Sequence, residues 1–163
     1  MLQQTPYGAN AYRAVGIETG VAAADPLGLV VMLYDGAIQA IARAEGHLAH
    51  GEIERRGSFT SKAIDIIQLG LAASLDTKVG GALAESLAAL YDYMSRRLFT
   101  ANLTGDPAIY EEVRVLLADL RTSWVTLRLT KGHASALEAA AHAVEPSKRD
   151  SEKIQAYGRS LHA

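Results

Sequence analysis

The chain has 163 residues, and its 16 basic and 18 acidic side chains give a formal net charge of −2. This balance excludes the strongly basic surface that is typical of nucleic-acid-binding proteins. The absence of cysteine excludes disulfides, iron–sulfur clusters and thiolate zinc sites. Nearly half of the residues are hydrophobic, and the commonest of these, alanine and leucine, are strong helix formers. Length and composition therefore predict one all-helical domain.

Residues 1–24 predict a loosely ordered N-terminal segment, in which prolines, glycines and small residues separate isolated apolar side chains. Tyr7 and Tyr12 are unusual in a plain linker, because an aromatic side chain usually packs into a groove. The segment lacks the basic start and the apolar stretch of a secretory signal. No run of about 18 apolar residues predicts a membrane-spanning helix. We therefore expect a cytoplasmic protein that does not insert into membranes.

The first helix is predicted to begin at Asp25 and Pro26, an N-cap residue followed by a proline in the first helical position. Its apolar positions recur at the spacing of a bundle helix; they are Leu27, Val31, Tyr34, Ile38, Ile41 and Leu48. Gly51 is the predicted end of this helix.

The second helix is predicted to begin between Glu52 and Ser61 and to end at Leu75. Its main apolar stripe consists of Ile64, Ile67 and Leu71, and further apolar side chains at Ile66, Leu69 and Leu75 widen it. A helix with apolar side chains on more than one face packs centrally or leaves a face for a partner. Gly70 is expected to loosen the helix locally.

The third helix follows a predicted turn at residues 76–81 and has the clearest apolar periodicity in the chain. Its stripe consists of Leu83, Leu87, Leu90, Met94, Leu98 and Ala101. Tyr91 and Tyr93 are predicted on the flanking faces of this helix. The second and third helices together carry more apolar positions than two bundle seams require, which predicts a surface for a partner.

The fourth helix is predicted to begin at Asp106 and Pro107, which repeat the start signal of the first helix. Its stripe consists of Ile109, Val113, Leu116, Leu120 and Leu127, with Leu117 and Trp124 beside it. The pattern fades after Leu129, and Lys131 and Gly132 interrupt it. Residues 130–163 therefore predict a C-terminal tail that is partly helical or disordered.

Four amphipathic helices with short connections predict an all-α fold, an antiparallel up-down four-helix bundle over residues 25–129.

The sequence contains few candidates for catalytic residues. Glu138 and His142 stand one turn apart, but one such pair provides too few ligands for zinc. No phosphate-binding loop, dinucleotide motif or nucleophile elbow occurs in the sequence. We expect no enzyme activity, no metal and no cofactor.

Three segments resemble one known family in the same order and with matching spacing. Residues 27–36 read LGLVVMLYDG and resemble its first-helix motif, and residues 62–68, KAIDIIQ, resemble its second helix. The most specific segment is 90–98, LYDYMSRRL, which continues to Ala101 and Asn102. Together with residues 10–12, these segments resemble the FliS family of flagellar secretion chaperones, the cytoplasmic chaperones of flagellin.

The resemblance implies a bundle whose N-terminal segment, residues 1–24, caps an apolar groove. It also implies a client, the C-terminal region of flagellin, which is kept from premature polymerisation and delivered to the cytoplasmic part of the flagellar type III export gate. Tyr12 is the expected anchor of the N-terminal segment. The other expected partner-binding residues are Ile64, Ile67, Leu71, Tyr91, Tyr93 and Arg97. The alternative is a self-associating helical-bundle adaptor without a flagellin client.

Overall fold

The fold was analysed in a computed structural model that describes residues 25–144, with side chains to residue 141. All regular secondary structure in this range is helical. The chain divides into two compact units, with the division between Thr126 and Leu127. The predicted N-terminal capping segment, with Tyr12, lies outside the described residues, as does the end of the predicted tail after residue 144.

Four helices form the all-α bundle that the sequence predicts. They are α1 (Pro26–Ala49), α2 (Ile53–Asp65), α3 (Thr77–Thr104) and α4 (Pro107–Val144). The helical path of α2 continues through a π-helical segment, Ile66–Leu71, and a 3₁₀ turn, Ala72–Ser74. The second helix thus begins and ends where the sequence predicts, but its last nine residues depart from α geometry.

Aspartate caps begin the helices as predicted. The Asp25 side chain accepts a hydrogen bond from the backbone N–H of Gly28 at 3.0 Å, and Pro26 is the first residue of α1. At the other end of a helix, Gly105 has φ = +66° and its N–H donates to the carbonyl of Ala101 at 2.8 Å. This left-handed conformation favours glycine, so Gly105 ends α3 without steric cost.

The predicted turn at residues 76–81 is wrong in part, because a helical turn forms before the chain bends. Asp76 accepts hydrogen bonds from the N–H groups of Lys78 and Val79 at 3.0 and 3.2 Å and thereby caps this turn. The bend is at Gly81, where φ is +52° and ψ is −134°. A side chain at this position would be strained, since residues other than glycine rarely adopt these angles.

Contacts between the helices define an antiparallel up-down bundle. Arg56 of α2 bonds to Asn102 near the end of α3, whereas Gln68, in the π-helical segment that follows α2, bonds to Ser95, earlier in α3. Helices α1 and α4 have the same opposed order. On α1 and α4, the paired residues are Glu45 with Arg114, Asp35 with Arg121, and Tyr34 with Trp124. The connections between successive helices are correspondingly short.

The core of the bundle collects the predicted apolar stripes around three tyrosines. Tyr34, Tyr91 and Tyr110 are all buried, and the largest apolar side chains around them are Ile41, Ile67, Leu71, Met94, Leu98, Val113 and Leu117. The expectation that Tyr91 lies on a flanking face is wrong. The buried face of α3 contains Met94, Leu98 and Ala101 of the predicted stripe and is widened by Tyr91, whereas Leu83 at the start of that stripe is exposed.

The second unit is described by α4 as far as Val144. The helix continues through Lys131 and Gly132, where the apolar pattern is interrupted, because the alanine-rich sequence that follows has high helix propensity. All side chains from residue 127 to residue 141 are exposed.

One described helix, Pro26–Ala49, is long and apolar enough to span a membrane by length and composition alone. Half of its most apolar stretch is buried inside the bundle. A core helix of a folded bundle passes the same test, since it needs an apolar surface to pack against its neighbours.

Candidate functional site

Three of the seven predicted partner-binding residues lie in the core. Ile67, Leu71 and Tyr91 are each almost completely buried among the described residues. In this conformation a partner could reach their side chains only if the neighbouring helices moved apart. Ile64 is half-buried and packs against the edge of the same core.

Tyr91 belongs to a hydrogen-bonded group that joins three helices. The hydroxyl groups of Tyr34 and Tyr91 bond to each other, and the indole N–H of Trp124 donates to the Tyr34 hydroxyl at 3.0 Å. Burial raises the pKa of Tyr34, and the two hydrogen bonds only partly oppose that effect. Tyr34 therefore stays protonated at neutral pH, as a structural link between α1, α3 and α4.

The other two predicted residues on α3, Tyr93 and Arg97, lie at the surface and share one partner, Glu112 of α4. The Arg97 guanidinium donates two hydrogen bonds to one Glu112 oxygen, at 2.9 and 2.6 Å, and the Tyr93 hydroxyl donates to the other oxygen. The hydrogen bonds from Arg97 and then Tyr93 lower the pKa of Glu112. A partner carboxylate would thus meet a guanidinium whose charge Glu112 already balances.

The same hydrogen bonds change the two donors in the opposite direction. The hydrogen bond to Glu112 raises the pKa of both Tyr93 and Arg97. All three groups consequently keep their ordinary charge states near pH 7. The cluster holds α3 against α4 and leaves Tyr93 43% exposed.

Large apolar side chains remain exposed along α2, α3 and the connection between them. We refer to these exposed side chains, which do not all share one helix face, together as the α2–α3 apolar surface; they are Ile53, Leu69, Val79, Leu83, Phe99 and Leu103. On α4 within the first unit, Val115 is the exposed large apolar side chain in the described range. The apolar surplus that the sequence predicts for the second and third helices therefore lies at the surface, where it can contact another chain.

Two members of the α2–α3 apolar surface were missed as candidates. Phe99 and Leu103 are 64% and 76% exposed and lie one helical turn apart on α3. They flank Asn102, whose side-chain oxygen accepts a hydrogen bond from Arg56 of α2 at 3.2 Å. The sequence feature that could have identified them is the spacing of four residues between two apolar side chains that lie outside the main apolar stripe of the helix.

The described residues offer little that could perform catalysis. No group of three or more histidine, aspartate or glutamate side chains among them could hold a metal ion. One histidine–carboxylate pair is formed by His47 and Glu52, with 2.7 Å between the ring Nδ1 and the carboxylate. This hydrogen bond lowers the pKa of Glu52, and the ring of His47 stacks on Phe59. The pair fastens the connection between α1 and α2.

Comparison with known proteins gives a match over most of the chain. The sequence model of the family described as "Flagellar protein FliS" matches residues 8–131. This range contains the whole first unit from residue 25 onwards and ends inside α4. It also contains every predicted partner-binding residue, including Tyr12.

Curated relatives agree with the family match. The flagellar secretion chaperone FliS of Salmonella typhimurium is 45% identical over 120 residues, covering 74% of this chain and 89% of the relative. The protein of the same name in Escherichia coli is 40% identical over 72% of this chain and 86% of the relative. That of Bacillus subtilis is 35% identical over 76% and 86%. These are chaperones and not enzymes. The chain belongs to the FliS family.

Proposed function

We propose that the chain is a cytoplasmic export chaperone that binds the disordered C-terminal region of flagellin. In this role it prevents premature polymerisation and supports delivery of its client to the flagellar type III export apparatus, including the cytoplasmic part of the export gate. The observation that carries the proposal is family membership, based on a match that spans residues 8–131.

The α2–α3 apolar surface supports the proposal physically. An amphipathic client segment can place its apolar face on such a surface, which hides the residues that would otherwise associate with other client molecules. Ordering a disordered client costs about 2–5 kcal/mol. A long contact is therefore expected, and the exposed apolar side chains extend from Leu69 and Val79 to Phe99 and Leu103.

We assign different roles to the predicted partner-binding residues according to their burial. Tyr93 and Arg97 lie at the surface and are assigned to direct contact with the client. Ile64 is assigned to the edge of the surface. The buried residues Ile67, Leu71 and Tyr91 support it from beneath. Tyr12 is assigned to the N-terminal segment as an anchor that the client displaces.

Titration calorimetry with a peptide of the C-terminal region of flagellin tests the proposal. Wild-type protein should bind the peptide, and Phe99→Ser should weaken binding by about tenfold to a hundredfold, because it removes an apolar contact worth roughly 1.5–3 kcal/mol. Val115→Ser, at an exposed apolar position outside the α2–α3 apolar surface, is the matched control and should bind like the wild type. Absence of binding by the wild-type protein would refute the proposed client.

The anchor role of Tyr12 needs a separate measurement. Tyr12→Ala should change the affinity for the flagellin peptide and leave the thermal unfolding midpoint nearly unchanged, because a displaceable side chain contributes little to the stability of the bundle. A large fall in the unfolding midpoint would show instead that Tyr12 belongs to the core. Unchanged affinity would remove it from the binding site.

A further inference from the structure

The described part of the second unit is a helical extension of the bundle, most of which lies beyond the family match. The match ends at residue 131, whereas α4 continues to Val144. Every side chain of the extension from residue 127 to residue 141 is exposed. Leu137 is 71% exposed and Leu129 is 60% exposed. The contacts of the bundle core therefore do not explain why this helix carries large apolar side chains.

One face of the extension has the spacing of a two-stranded coiled coil. Steps of three and four residues connect Leu127, Thr130, Ala134, Leu137 and Ala141. We call these five residues the C-terminal seam. Leu129 lies two positions after Leu127 and is outside the seam, so it provides an internal comparison.

We propose that the C-terminal seam packs in antiparallel orientation against the same seam of a second copy of this chain. In that orientation Ala134 lies opposite Leu137 of the second copy, and Thr130 lies opposite Ala141. Each layer then combines a small side chain with a larger one, which fills the space between two helices. A parallel pair would place Ala134 opposite Ala134 and Ala141 opposite Ala141, and both layers would leave gaps.

The charges beside the C-terminal seam favour a second copy as the occupant. Lys131 and Glu138 directly follow the seam residues Thr130 and Leu137, so they hold the same position, one repeat apart, in the seven-residue pattern beside the seam. Neither forms an ion pair with another described residue. An antiparallel two-fold pair brings Lys131 of each copy beside Glu138 of the other, so the symmetry forms two ion pairs. A helix of another protein would need a matching charge pattern, whereas a second copy already has one.

The short contact predicts a weak dimer. Fifteen residues span about 22 Å of helix, and a pair of such segments buries less than the roughly 1,200 Å² at the lower limit of stable interfaces. We therefore expect a dissociation constant in the micromolar range or weaker, as in transient assemblies. This inference does not depend on the proposed client, since the C-terminal seam lies outside the α2–α3 apolar surface.

Sedimentation equilibrium of the full-length chain, from about 1 µM to 1 mM, tests the inference. The wild type should change from monomer to dimer in this range. Lys131→Glu and Glu138→Lys should each weaken the dimer by about five- to tenfold, because each replaces two attractive pairs with repulsive ones. The double variant should restore dimer formation, because it exchanges the two charges without changing the pairing.

Two matched leucine variants locate the interface. Leu137→Glu should leave a monomer at every concentration, whereas Leu129→Glu should dimerise like the wild type, since both leucines are exposed but only Leu137 lies in the C-terminal seam. A wild type that stays monomeric to 1 mM, a dimer that survives Leu137→Glu, or a double variant as weak as the single ones would each overturn the inference. Circular dichroism checks that every variant keeps its helices, and peptide calorimetry reports separately on the client.

Discussion

Buried hydroxyl groups connect helices that are diagonal to each other in the bundle. Thr60 of α2 and Tyr110 of α4 are 2.7 Å apart, and the Thr60 hydroxyl also donates to the carbonyl of Arg56 at 2.8 Å. Burial raises the pKa of Tyr110, and its hydrogen bond with Thr60 only partly opposes that effect. Tyr110 is therefore a neutral phenol at physiological pH, and its polar end depends on Thr60 for a partner.

Replacing Thr60 with valine should destabilise the fold by about 1–3 kcal/mol, because the buried Tyr110 hydroxyl loses its partner without access to water. Urea unfolding followed by the fluorescence of Trp124, the single tryptophan of the chain, measures the change. Thr60→Ser keeps the hydroxyl and should cost less. The double variant Thr60→Val/Tyr110→Phe should recover most of the loss, because both polar groups are then absent. Additive losses in the double variant would show that the two hydroxyls act independently.

The cluster of Tyr93, Arg97 and Glu112 predicts a dependence of stability on pH. The folded-state pKa of Glu112 lies below its ordinary value of 4.5, so its carboxylate stabilises the fold above that pH and loses this effect as the pH falls through the lowered pKa. Urea midpoints of the wild type and Glu112→Gln should differ at pH 7, and the difference should narrow as the pH falls below 4.5.

Arg97→Gln provides the background for a control, since it removes the hydrogen bonds that contribute most to the lowered pKa of Glu112. In that background Glu112→Gln should produce a smaller difference at pH 7. A difference between wild type and Glu112→Gln that is as wide at pH 3 as at pH 7 would rule out ionisation of Glu112 as its cause.

At the scale of the element, the π-helical segment Ile66–Leu71 makes a close contact with α1. Gly70 is buried, and a Cβ atom built on it would lie 3.1 and 3.3 Å from the two terminal methyl groups of Leu33 on α1. The two helices therefore approach each other more closely here than a side chain would permit. The missing side chain lets Leu33 occupy the space against the backbone of the π-helical segment.

Gly70→Ala should therefore destabilise the protein by about 1–2 kcal/mol through overpacking against Leu33. Gly46→Ala is the matched variant, because Gly46 is also helical but has no atom within 4 Å of the added methyl group. This second substitution should stabilise the protein by about 0.5–1 kcal/mol, as alanine is the better helix former. Urea unfolding of both variants measures the two signs. A gain for Gly70→Ala would show that Leu33 moves aside at little cost.

The sequence predicts the helices well where their signals are local. Asp25–Pro26 and Asp76 act through atoms two or three residues away, so the start of α1 and the capped turn before Gly81 can be inferred from neighbouring residues. The close approach of Leu33 to Gly70 in the π-helical segment joins residues more than 30 positions apart, and no local pattern contains that information. The buried position of Tyr91 likewise involves a distant residue, because its hydroxyl bonds to that of Tyr34 on α1.

The candidate site, too, has features that local sequence predicts and features that depend on distant residues. The sequence predicts that the second and third helices carry surplus apolar residues, since periodicity alone shows that surplus. It does not determine which of them stay exposed, because exposure depends on the rotation of each helix in the bundle. Periodicity places Tyr91 and Tyr93 alike on flanking faces, yet Tyr91 is buried and Tyr93 bonds to Glu112 at the surface.

At the scale of the whole molecule, the stabilising contacts described for the bundle lie within its first unit. The last side chains of α4 that contact the core are Leu120 and Trp124, and Arg121 forms an ion pair with Asp35 of α1. The side chains described in the second unit are exposed to residue 141. One helix thus contributes to the core with its first half and presents a separate surface with its second half.

Ending the chain after Lys131 should therefore change the free energy of unfolding by less than about 0.5 kcal/mol, the range typical of changes at the surface. Urea unfolding of the shortened and full-length chains at a low micromolar concentration, where the weak dimer is dissociated, measures this difference. The control ends after Leu120 and should unfold at a lower urea concentration, because it lacks Trp124 and the partner of Asp35. If removal of residues 132–163 alone lowered the urea midpoint, the second unit would have to stabilise the bundle.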